Sequence, residues 1–423
     1  MRVLCIGLVT LFGNVVSAAG TAEDQPIENE TRTNTDVDTD DSLLLNIENA
    51  IQEDENTQTE NTFADEPAFA EPARGAVPVN GNEANPAISV ILDTAGAWFQ
   101  RDSHYRQGGH APSQTGPAIQ GAELAFSTSI DPYFSLDVAF GMFHLHLEEA
   151  YLTTTSLPLN LQLRAGKFKS AIGRHNPVHL HSWKFVNQPL ANEWLFGAEG
   201  MSLPGLELSW MIPIPWYAVL TGSIQMGSAG VFKSPTIENG EPGWSDFIYP
   251  VRLVQYFDLT PDILFQVGAN IVTGRSDVGP ESGNRAYAYG TDFVLKWRPT
   301  GEGDSGYASL MWETEAWFRQ MEVPGTVWND AGGYSALVAG LSKSLEASIR
   351  MEIWRQISGG RAVNRFRYGV DAFQFSTAIS YLPSHFSRIR LQHNVSSINE
   401  FETSHSVFLQ MEVSGGAHRA HPF

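Results

Sequence analysis

From Ile88 to the C-terminus, apolar and polar residues alternate in runs of about ten positions broken by turn residues, and helical periodicity is almost absent. In LEASIRMEI, Leu345, Ala347, Ile349, Met351 and Ile353 take one face, and Glu346, Ser348, Arg350 and Glu352 take the other. ILFQVGANIV sets Gln266, Gly268 and Asn270 against Phe265, Val267, Ala269 and Ile271, and VFLQMEV sets Gln410 and Glu412 against Leu409, Met411 and Val413. A period of two belongs to a strand whose faces meet different surroundings. A soluble sandwich alternates as well, so the pattern alone does not choose an architecture.

Segment length and loop rhythm make the choice. About sixteen segments can be laid out, a number within the range of outer-membrane barrels: near 88–101, 120–130, 134–143, 146–154, 159–168, 205–212, 216–225, 248–258, 262–273, 286–297, 307–319, 334–342, 345–357, 365–381, 387–394 and 405–413. Most have the length that a tilted strand needs to cross a bilayer. Every second gap is punctuated by a short or turn-rich connection: DPY, SLP, PIP, TPD, PTGEGDSG, SKS and LPSHF. The intervening gaps, after Arg101, Phe168, Gln225, Thr273, Arg319, Ile357 and Asn394, are mostly long, and only the gap at Phe143 is short. The sequence therefore predicts an all-β, transmembrane antiparallel barrel over 85–423, with short periplasmic turns and long extracellular loops.

Aromatic residues near segment ends, Trp98, Phe99, Trp216, Tyr217, Trp297, Trp317, Phe318 and Tyr381, fit interfacial girdles. One segment breaks phase: Arg367, Gly369 and Asp371 share a parity, whereas Gln374, Ser376 and Ser380 have the other. A bulge near Ala372 or Phe373 would repair it.

The N-terminus supplies the export route. Arg2, an apolar run from Val3 to Phe12 and the small residues Ser17, Ala18 and Ala19 read as a cleaved secretory signal over 1–18, too short and too interrupted for a spanning helix. The only cysteine, Cys5, lies within it, so the mature chain has no disulfide to rely on. Over 19–84, acidic residues face only Arg32 and Arg74 and apolar residues are few, which predicts a mostly disordered periplasmic tail. Leu43, Leu44, Ile47 and Ile51, behind Ser42, are the exception and read as a short helix for docking or oligomerisation. The tail carries most of the net charge of −21, so the acidic balance describes the tail and not the barrel.

A barrel of about sixteen strands encloses water and not a packed interior. Its predicted inner face carries both signs: Glu123, Arg164, Arg252, Asp292, Lys296, Glu313, Glu315, Arg319, Glu346, Arg350, Glu352, Arg388, Arg390 and Glu412. A lipid-facing Arg or Lys at the midplane would cost about 2–4 kcal/mol, so these charges turn inward, where ion pairs along the wall are the plainest expectation.

The longest gap in the barrel region runs from Lys169 to Leu203. There and around it, ELAFSTSIDPYF, EEAYL, LQLRAGKFKSAIGRHNPVHLHSWKFVNQPL and GAEGMSLPGLELSWMIP resemble a family of Gram-negative outer-membrane barrels related to the phosphate-selective porins, whose members are often labelled zinc-regulated outer-membrane receptors. The likeness is strongest over 123–213. It implies a third loop folded into the lumen, with Lys169, Arg174 and Lys184 at a mildly anion-favouring constriction, and a homotrimer in outer-membrane lipid passing small hydrophilic solutes or ions. The receptor label fits less well, because the acidic tail is too poor in apolar residues to form a plug.

Metal handling is the alternative. His175, His179 and His181 lie close together in the long gap, His144 and His146 share a strand face, and His418 and His421 lie near the end of the chain. Imidazole suits zinc, copper or nickel, although solvated or hydrogen-bonded loop histidines explain the same pattern. An enzyme is the least supported reading, since G-x-S-x-G, H-E-x-x-H and a phosphate loop are all missing. No cofactor and no nucleic-acid partner is expected.

Overall fold

The computed structural model of the protein describes residues 86–101, 108–143, 145–234, 243–278, 283–299, 308–359, 371–398 and 403–416. The signal and tail expected over 1–84, the helix from Ser42 to Ile51, and His144, His418 and His421 lie outside the described residues.

The sixteen barrel strands are β1 Ala87–Phe99, β2 Gly116–Asp131, β3 Phe134–Gly141, β4 His146–Thr154, β5 Leu161–Lys169, β6 Ser202–Met211, β7 Tyr217–Gln225, β8 Tyr249–Thr260, β9 Ile263–Arg275, β10 Arg285–Trp297, β11 Ser309–Val323, β12 Thr326–Ser342, β13 Leu345–Ser358, β14 Ala372–Ser384, β15 Ser387–Ile398 and β16 Ser404–Gly416. Each pairs antiparallel with its sequence neighbours, and β16 returns to β1, from Ser89 opposite Gly416 to Phe99 opposite Ser406. Closure pairs every strand on both sides, which a sheet in hydrocarbon requires.

Alternation along each strand is inverted relative to a water-soluble protein. On β13, Ile349, Met351 and Ile353 are 45%, 52% and 44% exposed, whereas Ser348, Arg350 and Glu352 are at most 3% exposed. An apolar outer wall around a polar interior is stable in a bilayer and not in water. On the short-turn rim the connections close tightly. The Asp131 carboxylate accepts the backbone N–H groups of Tyr133 and Phe134, both at 2.8 Å, so that DPY turns on an Asx bond.

Three expectations need correction. The gap after Arg319 is not a long loop: β11 continues to Val323, β12 begins at Thr326, and Pro324-Gly325 closes the hairpin with Gly325 at φ 82°. The polar and glycine-rich NDAGG stretch is strand because Asp330 is buried in an ion pair with Arg319, and a side chain at Gly332 would collide with the Ile353 carbonyl and the Trp354 ring. Nor do all the expected girdle aromatics face lipid. Trp98, Trp216, Trp297, Phe318 and Tyr381 do, but Trp317 is buried against Phe196 and Tyr217 packs on the buried Tyr256. Phe99 packs on the buried Phe408. Finally, Asp371, expected within the fourteenth strand, lies outside it, and β14 runs from Ala372. Arg367 and Gly369, which motivated the bulge, lie outside the described residues, and from Ala372 onward Gln374, Ser376 and Ser380 keep one parity facing in.

The barrel also holds an apolar core of its own. A seven-residue helix, α1 (Leu190–Phe196), buries Leu190, Ala191, Trp194, Leu195 and Phe196 against Val231 and Phe232 and against the inner wall at Val272, Trp317, Met321, Trp354 and Ile398. These residues are packed as a protein interior.

Candidate functional site

The segment between β5 and β6, residues 170–201, supplies α1 and the sequence-predicted site residues Arg174, His175, His179, His181 and Lys184, while Lys169 ends β5. It reaches the strand farthest from its origin: β13 lies eight strands round the sixteen-strand ring from β5. Non-repetitive backbone inside a protein must find partners for its N–H and C=O groups, since each one left unpaired costs about 1–3 kcal/mol. Here wall side chains supply them. Asn270 accepts the Gly173 N–H at 2.9 Å, and Glu315 accepts those of Arg174 and His175 at 3.0 Å each. Gln392 accepts the Val186 N–H at 2.7 Å. Arg390 donates to the Trp183 carbonyl at 2.7 Å, Arg350 to that of Asn187 at 2.9 Å, Arg319 to that of Trp194 at 3.1 Å, and Arg388 to that of His181.

Local sequence makes these seats. Gly173 has φ 65° and sits so close to Glu315 that a Cβ would lie 2.3 Å from its carboxylate. Pro189 precedes α1 and offers no side-chain cap, so Glu352 caps the helix from the wall, accepting the Leu190 N–H at 2.6 Å. Gly197, at φ 90°, ends the helix.

Wall charges pair among themselves and with the segment. Arg252 meets Asp292 at 2.9 Å, Arg350 meets Glu352 at 2.8 Å and Arg164 meets Glu207 at 3.2 Å, while Arg319 pairs with Asp330 and Arg388 with Glu412. Of the three cations expected at a constriction, Arg174 is held to Glu313 at 3.3 Å and Lys184 to Glu346 at 3.2 Å. Lys169 donates from its backbone to Glu149 and from Nζ to the Glu199 carbonyl at 3.4 Å. Lys296 lies within the electrostatic reach of Arg174, Lys184 and Glu313. Burial works against the Arg174 charge, but Glu313 outweighs it and holds the guanidinium more firmly protonated than usual.

The three clustered histidines have two different surroundings. His179 and His181 stack with ring centroids 5.7 Å apart, and both present Nδ1 to Glu123, at 3.6 and 3.7 Å. His179 Nε2 also bonds Glu149 at 2.9 Å. Burial alone would lower the His179 pKa, but Glu123 and Glu149 overcome it and raise it to about 10. His175 instead packs on Trp183 at 5.0 Å, and burial, with the charges of Arg350, Lys169 and Arg174, drives its pKa well below 6.5. Among the described residues the group that could share a metal ion is Glu123, Glu148 and His179, and neither His175 nor His181 belongs to it.

Sequence reading missed Glu148, Glu149 and Asn270 as partners of the segment. The doublet Glu148-Glu149 was the available signal, because strict alternation would send one of two adjacent carboxylates into lipid.

No family model matches the sequence. An uncharacterized protein of Aquifex aeolicus (strain VF5) is 26% identical over 390 residues, covering 80% of each chain. Among solved structures, the outer membrane channel DcaP of Acinetobacter baumannii matches with TM-score 0.54 at 10% identity, over 78% of this chain and 97% of that one. The anion-selective porin from Comamonas acidovorans matches with TM-score 0.52 at 9% identity, over 78% and 99%. The outer membrane protein OmpT of Vibrio cholerae, folded in vitro, matches with TM-score 0.52 at 8% identity, over 80% and 100%. At these identities the likeness is one of fold.

Proposed function

We propose that this chain is a porin-type channel, not an enzyme, through which small hydrophilic solutes diffuse across the outer membrane of a Gram-negative cell, as a homotrimer in outer-membrane lipid. The observation that carries the reading is the seating of residues 170–201 on side chains of the far wall, which narrows a barrel otherwise wide enough for water. Solved neighbours that include an outer membrane channel and an anion-selective porin support it.

Selectivity is set by charge at a constriction and not by the net charge of the chain. Lys169, at the start of the segment, and Arg174 and Lys184 within it supply its cations, and the pairing of Arg174 with Glu313 and of Lys184 with Glu346 keeps the preference for anions mild. Purified protein in a planar bilayer conducts steadily under this reading. Changing Lys169, Arg174 and Lys184 together to Glu moves the reversal potential toward cations in a salt gradient, by an amount that shrinks as salt rises and the Debye length shortens. A triple variant with unchanged conductance and reversal potential removes the segment from the solute path.

A further inference from the structure

Strand β4 carries an irregularity with a chemical result. It pairs with β3 in regular register from Thr154 opposite Phe134 to Glu149 opposite Ala139, and pairing resumes with Leu147 opposite Phe140, leaving Glu148 as the extra residue. A bulge re-aims a side chain that strict alternation would point outward. Glu148 thereby joins Glu123 on the inner side, where both line a cavity of ≈ 20 Å³ with Lys169, Leu180, His181 and Trp183. That is room for one water or one ion. Opposite Glu123 in the ladder is Gly141, and the His146 ring occupies the space its side chain would need, with Nε2 3.4 Å from Glu148.

His179, from the segment, does not line that cavity, but its ring nitrogen lies within 4.8 Å of the Glu123 and Glu148 carboxylates. Its Nε2 is engaged by Glu149 at 2.9 Å, while its Nδ1 is buried, has no hydrogen-bond partner and faces Glu123 at 3.6 Å. The Nε2 bond to Glu149 is the carboxylate–histidine contact that orients a metal-binding ring, and Nδ1, which the two carboxylates otherwise hold protonated, gives up its proton when a metal binds there. The donor atoms of Glu123, Glu148 and His179 all lie within 4.8 Å of one another, against about 3.3 Å for ligands about 2 Å from one tetrahedral ion, so the side chains close in when an ion binds.

We propose that Glu123, Glu148 and His179 bind one divalent first-row transition cation of the zinc type, joining the segment to the wall. The imidazole nitrogen favours such an ion over magnesium or calcium, which prefer sets made wholly of oxygen. Three protein ligands leave a fourth position for water, so the ion is exchangeable and not a closed structural centre. Lys169 borders the cavity and opposes the incoming charge, and Glu123, Glu148 and Glu149 outnumber it.

The test is calorimetric titration of zinc chloride into the detergent-folded full chain. The expected isotherm has one saturable site, weakened at least tenfold by Glu148→Gln and by His179→Asn and left unchanged by His175→Asn. Glu148→Gln keeps the size and shape of the bulged side chain, so it reports the ligand charge even where His179→Asn disturbs the seating of the segment. Absence of zinc uptake at millimolar concentration overturns the proposal, as does a Glu148→Gln variant that binds like the parent. A His175→Asn variant weakened as much as His179→Asn also overturns it, in favour of a histidine cluster. Heat of binding is read without conductance, so this site and the channel reading fail independently.

Discussion

Glu352 shows how one side chain can hold a loop. Buried at 1% exposure, it pairs with Arg350 at 2.8 Å, receives the Gln374 amide at 2.8 Å and caps α1 through the Leu190 N–H at 2.6 Å. Replacing it with Ala removes a charge partner, a hydrogen-bond acceptor and a helix cap at once. Stripping one member from a buried ion pair costs about 3–5 kcal/mol, because the other charge stays buried. Glu352→Ala is therefore expected to lower the temperature at which the compact band converts to the extended one in detergent gels, and to expose residues 170–201 to protease. Glu352→Gln keeps an acceptor for Leu190 and has the smaller effect. Equal behaviour of the two variants would show that the charge balance, and not the acceptor, governs the seating.

At the level of elements, the outer faces of the strands are as constrained as the inner ones. Met351 is half exposed in the middle of β13, between the inward Arg350 and Glu352. Met351→Arg places a charge in lipid and costs about 2–4 kcal/mol at the midplane. Assembly yield in lipid vesicles falls accordingly, whereas Ser358→Arg, at the end of the same strand, assembles normally. A Met351→Arg yield equal to the parent would mean that this face of β13 does not meet hydrocarbon. The same alternation is why the strands were legible in the sequence: β4, predicted as 146–154, is His146–Thr154, and β10, predicted as 286–297, is Arg285–Trp297. Legibility failed where a polar residue gains a partner that is remote in sequence. NDAGG in β12 reads as loop until Arg319 is placed beside Asp330, and Trp317 reads as a girdle residue until α1 is placed beneath it. For the site, the basic residues of the segment could be read, but their carboxylate partners Glu313 and Glu346 could not, because pairing across a barrel leaves no local pattern.

For the whole molecule, the ring closes between β1 and β16 among the described residues: Ser89 to Phe99 pair on one side with Gly416 to Ser406, and Ala87 to Ala97 pair on the other with Ser127 to Gly116. Removing residues 20–84 is therefore expected to leave a heat-modifiable barrel in the outer-membrane fraction, because that stretch offers little apolar surface to a fold. Loss of the compact band on truncation would assign the acidic stretch a part in assembly. The segment inside the ring has the opposite dependence. Its anchors at Asn270, Glu315, Arg350, Glu352, Arg390 and Gln392 come from strands made long after it, more than 200 residues later in the case of Val186 and Gln392. It therefore cannot reach its seat when it emerges. Contacts this distant in the chain form late and slowly, after their loop-closure entropy has been met. Seating of residues 170–201 is thus expected to be a late event of folding: the strands that anchor it must pair first, so a refolding barrel passes through a stage in which the ring is closed and the segment is still open to protease.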